Sequence, residues 1–159
     1  MTDQWRPVDV ATLLFIVQGE QVLLIRKKRG LGAGKINGPG GKIEAGETPM
    51  QCAIREIHEE LVITTLDPEH HGEVRFQFID GYSVHVHIFV ASQFTGTPTE
   101  TDEALPLWFS KDNIPYHEMW ADDVIWLPRV LHGESVDGRF LFDEDTLLAH
   151  EVTFATRQA

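Results

Sequence analysis

The hydrophobic pattern of the chain predicts mostly strands, interrupted by two helices. Apolar runs bounded by turn residues predict strands at residues 8–17, 21–26, 74–79, 83–91, 105–109, 139–142 and 147–154. Gly19-Glu20 and Asp80-Gly81 separate the first two pairs of runs, and such dipeptides are typical of hairpin turns. Residues 30–34 contain three glycines and predict a flexible loop.

Helical periodicity begins after residue 48, where the local residues favour a helix start. Thr48 is a candidate N-cap, Pro49 suits the first helical position, and Gln51 completes a capping box with Thr48. An apolar stripe follows at helical spacing, formed by Met50, Ala53, Ile54, Ile57 and Leu61. Residues 122–131 show the same kind of pattern and predict a second amphipathic helix.

Strands that are joined by hairpins and flanked by two helices are typical of the α/β class. We therefore expect an α/β/α sandwich, in which a mixed β-sheet lies between helices. A chain of 159 residues is long enough to bury a substantial core, and we expect residues 1–159 to form a single domain.

Three carboxylates make the first helix a candidate metal site. Glu56, Glu59 and Glu60 are spaced i, i+3 and i+4, which places them side by side on one helix face. A glycine-rich turn at residues 38–41 precedes the helix and can expose backbone groups to metal and phosphate. Mg²⁺ favours carboxylate oxygens together with substrate phosphates. For three acids alone, the alternative is an amphipathic helix with a solvated acidic face.

The spacing over residues 41–63 resembles the signature of the Nudix hydrolases. Gly41, five residues, Glu47, seven residues and then Arg55-Glu56-Ile57-x-Glu59-Glu60 match its fixed positions. Val62 departs from the signature, which has glycine there, and a β-branched residue resists the left-handed conformation that often ends a helix. The resemblance implies the Nudix α/β/α sandwich and metal-dependent hydrolysis. The departure at Val62 removes no metal ligand, and its effect on the helix end stays open.

Further matches resemble one branch of that family, the animal MutT homologues that hydrolyse 8-oxo-dGTP. The matching positions are residues 27–38, Gly96-Thr97-Pro98, Asp102-Glu103, residues 119–123, Trp126, Pro128 and Asp145-Thr146. Three positions depart from that branch, because Leu31 and Pro39 replace phenylalanine and Ile36 replaces tryptophan. Leu31 reduces the aromatic lining, so we expect room for a wider range of bases.

The resemblance implies a role for each matching residue. The metal ligands would be the carbonyl of Gly40 with Glu56, Glu59, Glu60 and Glu103. The substrate contacts would come from Thr12, Lys27, Asn37, Phe76, Trp120, Asp122 and Asp123. Among these, Asn37, Trp120 and the aspartate pair would contact the base. Arg55 would orient Glu56 or Glu47, and the general base would be one of the acids, Glu59 or Glu56.

Each of these residues also has a structural interpretation. Asp122 and Asp123 would complement the dipole of the second helix, and Asn37 before Gly38 would be a turn residue. Trp120 would be an ordinary core aromatic, and Glu103 one more solvated acid.

The implied substrates are oxidised purine nucleoside triphosphates such as 8-oxo-dGTP and 2-hydroxy-dATP, and the implied cofactor is Mg²⁺ with Mn²⁺ as a substitute. The products would be the monophosphate and pyrophosphate, which would remove damaged nucleotides from the pool. The sequence is also compatible with two alternative functions. One is a Nudix hydrolase of ADP-ribose or a dinucleoside polyphosphate, and the other is a non-catalytic Nudix module that binds nucleotides.

Charge and composition narrow the possible partners. A net charge of −12 argues against binding to nucleic acid polymers, which it would repel. Basic residues concentrate at 26–29, which is either a phosphate clamp or a solvated loop at a strand end. No apolar run is long enough to span a membrane, and residues 1–5 do not resemble a signal peptide. Cys52, the single cysteine, favours a packing role and a reducing cytoplasm. We expect a monomer.

The histidines suggest no metal site from the sequence alone. His85 and His87 fall on the same face of a predicted strand, but a third ligand is not evident, so we do not expect zinc there. His70 and His71 are expected in a loop.

Overall fold

The structure is a computed structural model that describes residues 4–156, so residues 1–3 of the N-terminal stretch considered above lie outside it. Its strands are β1 Asp9–Gln18, β2 Gln21–Lys27, β3 Ile36–Asn37, β4 Gly40–Lys42, β5 Thr64–Leu66, β6 Glu69–Phe78, β7 Ser83–Ala91, β8 Gln93–Thr95, β9 Ala104–Ser110, β10 Glu134–Asp143 and β11 Thr146–Thr156. Its helices are α1 Pro49–Leu61 and α2 Asp123–Leu131, with a short 3-10 helix at Tyr116–Glu118.

Nine of these strands form one mixed sheet in the order β11-β10-β6-β7-β1-β2-β3. Strand β4 adds to β1 and β9 adds to β2, while β5 and β8 form a separate two-stranded sheet. The pairs β1–β7 and β6–β10 are parallel, and the other pairs are antiparallel. The glycine-rich turn therefore lies against the central strand β1, close to the point where the sheet splits.

Alternating side chains of the sheet pack into two hydrophobic cores, one on each face of the sheet. Leu14 and Ile16 of β1 pack with Ala53, Ile57 and Leu61 of α1 on one side. On the other side, the core contains Phe15 of β1 with Trp126, Leu127, Val130 and Leu131 of α2. Because successive strand residues point to opposite faces, one strand serves both cores. The expected α/β/α sandwich is confirmed.

Helix α1 begins as its sequence predicts. The Thr48 hydroxyl accepts from the Gln51 N–H at 3.1 Å, and the Gln51 side chain accepts from the Thr48 N–H at 2.9 Å. The predicted stripe was wrong at Met50, which is 44% exposed. Met50 shares the buried face by angle but lies in the first turn, where burial depends on how far the sheet extends below. Periodicity does not encode that extent.

Val62 is the C-cap residue of helix α1, and its backbone has the left-handed conformation, with φ 63° and ψ 32°. The Val62 N–H donates to the His58 carbonyl, which completes the last turn. The left-handed capping geometry is therefore kept, and a valine occupies a conformation that favours glycine.

Two strands extend further than their apolar runs predict. His70 and His71, expected in a loop, lie in β6, and β10 begins at Glu134 rather than at residue 139. The extra residues are held by backbone ladders, since β10 pairs with β11 from Glu134 onward and with β6 from Val136 onward. Backbone pairing does not depend on side-chain hydropathy, so the pattern misses it. Neither helix within residues 4–156 has the length and apolar character needed to cross a membrane.

Candidate active site

The glycine-rich turn fits between β1 and α1 because Gly40 and Gly41 carry no side chains. A Cβ added to Gly40 would lie 1.9 Å from the carbonyl oxygen of Thr12, which leaves no room for any other residue. A Cβ on Gly41 would lie 2.4 Å from the carboxylate carbon of Glu56. Gly40 and Gly41 pair with Leu13 and Thr12 of β1. Glycine at both positions therefore brings the backbone of β4 against the acidic face of α1.

Glu60 is buried at the centre of the acidic cluster. Its Oε1 accepts from the N–H of Gly40 at 2.9 Å, and the residue is only 4% exposed. Burial, together with the charges of Glu56 and Glu103, raises the pKa of Glu60 to about 8. Burial also raises the pKa of Glu56. The cluster thus gathers carboxylates whose charges are incompletely balanced by the protein.

Arg55 holds the acids of α1 in place. Its guanidinium donates from Nε to Glu47 Oε2 at 2.6 Å and from Nη2 to Glu47 Oε1 at 2.9 Å, a bidentate pair. Nη1 also reaches Glu56 at 2.8 Å and Glu59 at 3.3 Å. These hydrogen bonds from Arg55 lower the pKa of Glu47 to about 2. Arg55 is therefore a positioning residue, and it is fixed to both Glu47 and Glu56.

The donor set fits a hard divalent cation. Glu103 reaches the cluster from the loop before β9, and its charge raises the pKa of both Glu56 and Glu60. Thr101 fixes that loop to α1, because its hydroxyl donates to the Glu60 carbonyl at 2.7 Å. Several carboxylates that raise each other's pKa beside a glycine backbone are suited to Mg²⁺, which prefers oxygen ligands. A cation there would offset their repulsion.

A cavity of about 590 Å³ connects this acidic cluster to a pocket of mixed character. Its lining includes Glu60, Gly40 and Gly41 of the acidic cluster together with Lys27. The same lining includes Asn37, Phe76, Phe78, Tyr82, Trp120, Asp122, Asp123 and Phe142. A single ligand that carries both charged groups and an aromatic ring would suit this lining.

The aspartate pair lies in the pocket with little access to solvent. Asp122 Oδ2 accepts from the indole N–H of Trp126 at 2.7 Å, while Oδ1 has no hydrogen-bond partner among residues 4–156. Burial raises the pKa of Asp122 to about 6. Burial and the charge of Asp122 raise the pKa of Asp123 well above its ordinary value. The two carboxyls therefore favour a state in which one of them keeps a proton.

Asp122 does not act as a helix cap. It occupies the N-cap position of α2, yet its side chain makes no capping hydrogen bond. The Asp122 carboxylate therefore provides no hydrogen-bond cap and instead accepts from Trp126, while its position at the N-terminus of α2 still complements the helix dipole. The amide Nδ2 of Asn37 is also buried and has no partner within the described part of the chain. Buried polar atoms that line a pocket are able to hydrogen-bond to a ligand or to ordered water.

Aromatic rings form the walls around these polar groups. Phe76 stacks on Phe140 with ring centroids 5.6 Å apart. Trp120 meets Phe142 edge to face at 5.5 Å, and the ammonium of Lys35 lies 5.2 Å from its ring. Trp120 is only partly buried, so it is a wall of the cavity rather than a central core residue. Such rings provide stacking surfaces for a planar base.

Two other expected contacts have different settings. The Thr12 hydroxyl lies 3.4 Å from the buried sulfur of Cys52, so the Thr12 side chain packs against α1. Burial raises the pKa of the Cys52 thiol to about 11, as suits a packing residue. Lys27 lines the cavity and donates to the Leu31 carbonyl at 2.7 Å. Burial lowers its pKa, an effect opposed by the charges of Glu60 and Glu56.

The basic run at residues 26–29 is not a collective phosphate clamp. Arg26 pairs with Glu118 at 2.9 Å and Lys28 with Glu100 at 2.6 Å. Arg29 lies 3.4 Å from Glu103, and of the four only Lys27 lines the cavity. Three of these side chains therefore hold the loop to its neighbours, because acids distant in sequence lie beside them.

Several pocket residues were not identified from sequence. Phe78 and Phe142 line the cavity beside Phe76, and Trp126 orients Asp122. The alternation of Phe76 with Phe78 placed both on one strand face, a signal that could have predicted Phe78. Phe142 joins them only through the parallel pairing of β10 with β6, which the sequence does not reveal.

Comparisons with known proteins agree with this geometry. The NUDIX domain family matches residues 6–130. An oxidized purine nucleoside triphosphate hydrolase of Danio rerio is 44% identical over 89% of this chain and 92% of its own length. The protein of that name from Mus musculus is 41% identical over the same shares. A crystal structure of a MutT protein from Bacillus halodurans superposes with a TM-score of 0.81 at 30% identity, covering 91% of this chain and 97% of its own.

Proposed function

The chain belongs to the Nudix family, and on that premise we propose that it hydrolyses oxidised purine nucleoside triphosphates to the monophosphate and pyrophosphate. The observation that carries the proposal is the cavity that joins a carboxylate cluster to buried, unpartnered polar atoms of Asn37 and Asp122. The relatives from Danio rerio and Mus musculus, which match about nine tenths of the chain, are oxidized purine nucleoside triphosphate hydrolases. The proposed substrates are 8-oxo-dGTP and 2-hydroxy-dATP.

Nudix hydrolases use divalent metal ions, and we propose Mg²⁺ for this chain, with Mn²⁺ as a substitute. The residues that would hold it are Glu56, Glu59, Glu60 and Glu103, with the carbonyl of Gly40. Bound there, Mg²⁺ would neutralise phosphate charge and make water a stronger nucleophile at neutral pH.

The acids of α1 are also the candidates for the general base. Glu56 and Glu59 are the candidates to take the proton from the attacking water, since both are held by Arg55. Glu59 has a side chain that is 46% exposed and stays open to solvent, while Glu56 is more enclosed and has a raised pKa. Lys27 lines the cavity at its acidic end and supplies positive charge for the phosphates.

The base end selects by hydrogen bonding. With one proton shared by the pair, Asp123 donates and Asp122 accepts along the edge of the oxidised base. The Asn37 amide adds a further donor, and Phe76 and Trp120 enclose the ring. A site that pairs polar edges rejects a mismatched base more strongly than an apolar slot does.

The remaining features support a small-molecule enzyme. We propose a monomer that acts on free nucleotides in the cytoplasm and removes damaged nucleotides from the pool. A net charge of −12 opposes binding of nucleic acid polymers, and a single buried cysteine suits a reducing compartment.

A substrate panel tests the proposal. The enzyme would be assayed with 8-oxo-dGTP, 2-hydroxy-dATP, dGTP, ADP-ribose and a dinucleoside polyphosphate, each with Mg²⁺, and the products identified by mass spectrometry. We expect pyrophosphate and a monophosphate, with the highest kcat/KM for an oxidised purine. Preference for ADP-ribose or a dinucleoside polyphosphate would replace the proposed substrate class. Binding without turnover would indicate a non-catalytic module.

A further inference from the structure

A cluster of metal-binding side chains lies on strands β6 and β7, outside the site described above. Glu73, His85 and His87 each offer a ligand atom, and these atoms lie within 4.8 Å of one another. His70 adds a fourth nitrogen, because its Nε2 lies 3.3 Å from Nδ1 of His87. Sequence reasoning found no third ligand for the two histidines of β7. The antiparallel pairing of Glu73 with His87 supplies it.

The cluster occupies a part of the sheet face that α1 leaves open. Val84, Val86 and Ile88 of β7 point into the core beneath α2, so His85 and His87 point to the opposite face. On that face, Asp137 of the neighbouring strand β10 is exposed. The cluster is thus reachable from solvent, and its side chains are nevertheless half enclosed, with 19% exposure at His87 and 34% at Glu73.

The spacing of the ligand atoms suits a small tetrahedral ion. Ligands about 2.0–2.1 Å from Zn²⁺ lie roughly 3.3 Å from one another in a tetrahedral site. Glu73 Oε1 lies 3.6 Å from His87 Nδ1 and 2.7 Å from His85 Nε2. All the ligand atoms of these three residues lie within 4.8 Å of one another, so changes of side-chain rotamer are enough to approach that spacing. The strand ladder holds Glu73 opposite His87.

The ligand types select the class of metal. Imidazole nitrogens with one carboxylate favour Zn²⁺, Co²⁺, Ni²⁺ and Cu²⁺ over Mg²⁺ and Ca²⁺, which prefer all-oxygen sites. The acidic cluster of α1 has the opposite preference, so the two sites would distinguish these metals. One neighbouring cation opposes binding, namely Arg75, but its guanidinium is paired with Asp137 at 3.1 Å.

We propose that Glu73, His85 and His87, with His70 as a fourth ligand, form a second metal site that binds Zn²⁺ or a similar transition metal. The site would join β6 to β7, and β7 in turn pairs with β1 below the glycine-rich turn. Thr12 of β1 stands opposite His87 in that ladder. A metal that binds only the folded chain raises its stability, so we expect the melting temperature to rise with Zn²⁺.

The test uses the full-length chain without a polyhistidine tag, in millimolar Mg²⁺ to occupy the acidic cluster. Calorimetric titration with Zn²⁺ should show one site per chain. Titration of the same protein with Co²⁺ should give the intense visible bands of a tetrahedral complex. These measurements need no substitution. Absence of Zn²⁺ binding, or a weak octahedral Co²⁺ spectrum, would overturn the proposal.

Variants locate the site. His85→Ala and Glu73→Gln should each weaken Zn²⁺ binding at least about 10²-fold and remove the rise in melting temperature. His117→Ala is the matched control, because its side chain is 82% exposed and lies away from the cluster. Glu60→Gln controls for the acidic cluster and should leave the Zn²⁺ site intact. Equal Zn²⁺ affinity in wild type and His85→Ala would assign the metal elsewhere and refute the proposal.

Discussion

At the scale of single residues, the burial of Glu60 suits the proposed metal site but lowers the stability of the folded chain at neutral pH. The carboxylate is buried and accepts a hydrogen bond from the N–H of Gly40. Its pKa in the folded state, about 8, lies above the ordinary 4.5. A raised pKa means that the group favours folding fully only below pH 4.5. This contribution is lost as the pH rises towards 8.

Glu60→Gln should therefore change activity and stability in opposite directions. Without metal at neutral pH, the melting temperature should rise, because the amide removes the cost of keeping a buried carboxyl protonated above its ordinary pKa and still accepts from Gly40. With Mg²⁺, kcat should fall at least about 10²-fold, comparable with the loss of a main electrostatic stabiliser. Thermal unfolding between pH 5 and pH 8 should show a flatter profile for the variant than for wild type.

Glu59→Gln is the matched control for that prediction. Glu59 is much more exposed, so the variant should also lose kcat by at least about 10²-fold but should gain no stability. If both variants kept full turnover, or if wild type worked in excess EDTA, the metal assignment would fail.

The aspartate pair leads to an asymmetric prediction. With one proton shared by the pair, we expect Asp122 to be the acceptor and Asp123 the donor, because burial and the charge of Asp122 raise the pKa of Asp123 well above its ordinary value. Asp123→Asn should retain most of the affinity for an oxidised base, since an amide also donates, while Asp123→Ala should lose it. Asp122→Asn should bind poorly, because its single oxygen must serve both Trp126 and the substrate.

Steady-state kinetics with melting curves checks this prediction. Asp122→Ala should raise KM for 8-oxo-dGTP more than it lowers kcat, because the metal cluster is untouched. A purely structural pair would instead lower the melting temperature and leave the ratio of kcat/KM between 8-oxo-dGTP and dGTP unchanged.

At the scale of elements, α1 shows what local sequence can predict. The cap at Thr48, the proline at the first position and the bond to Gln51 involve residues within one turn, so the sequence alone indicated them. The face that carries Glu56, Glu59 and Glu60 followed from periodicity. The burial of Glu60 and Cys52 did not, because it is caused by Gly40, Gly41 and Thr12, which arrive from other strands.

The backbone at the C-terminus of α1 is strained at Val62, and a substitution should relieve that strain. Val62 has φ 63°, a conformation that costs an L-residue roughly 1–2 kcal/mol. Val62→Gly should relieve that cost, less about 0.5–1 kcal/mol of added backbone entropy in the unfolded chain. We expect a net gain of about 0.5–1 kcal/mol, read as a small rise in melting temperature with unchanged kcat.

Val124→Gly provides the comparison, because Val124 is 52% exposed, close to the 49% of Val62, and lies in α2. There the glycine should lose roughly half a kcal/mol, as expected for an ordinary helical position. A loss of stability in Val62→Gly as large as in Val124→Gly would show that the left-handed valine is not strained.

At the scale of the whole molecule, the class of fold followed from the order of elements, and the position of the cavity did not. Hairpin signals and two amphipathic helices predicted a mixed sheet between helices. The parallel pair β6–β10 brings Phe142 beside Phe76, and the antiparallel pair β6–β7 brings Glu73 beside His87, so both contacts exist only in the folded sheet. We propose that residues 1–159 act as one domain.

The division between the two faces of the sheet accounts for the proposed specificity. Glu56, Glu59 and Glu60 lie on α1, the aspartates lie at the start of α2, and the cavity is lined by residues of both groups. We propose that a nucleoside triphosphate spans the cavity with its phosphates at the acids and its base at the aspartates. On this proposal, base selection and phosphate chemistry belong to different elements, and variants of one should leave the other largely intact.

A competition assay tests the central claim most directly. Wild-type enzyme would receive dGTP and 8-oxo-dGTP in one equimolar mixture with Mg²⁺, and chromatography would follow the loss of both substrates. The ratio of the two rates gives the ratio of kcat/KM without separate calibrations. The account predicts that 8-oxo-dGTP is consumed at least about tenfold faster, a difference of about 1.4 kcal/mol in the transition state. Equal consumption of the two nucleotides would contradict it.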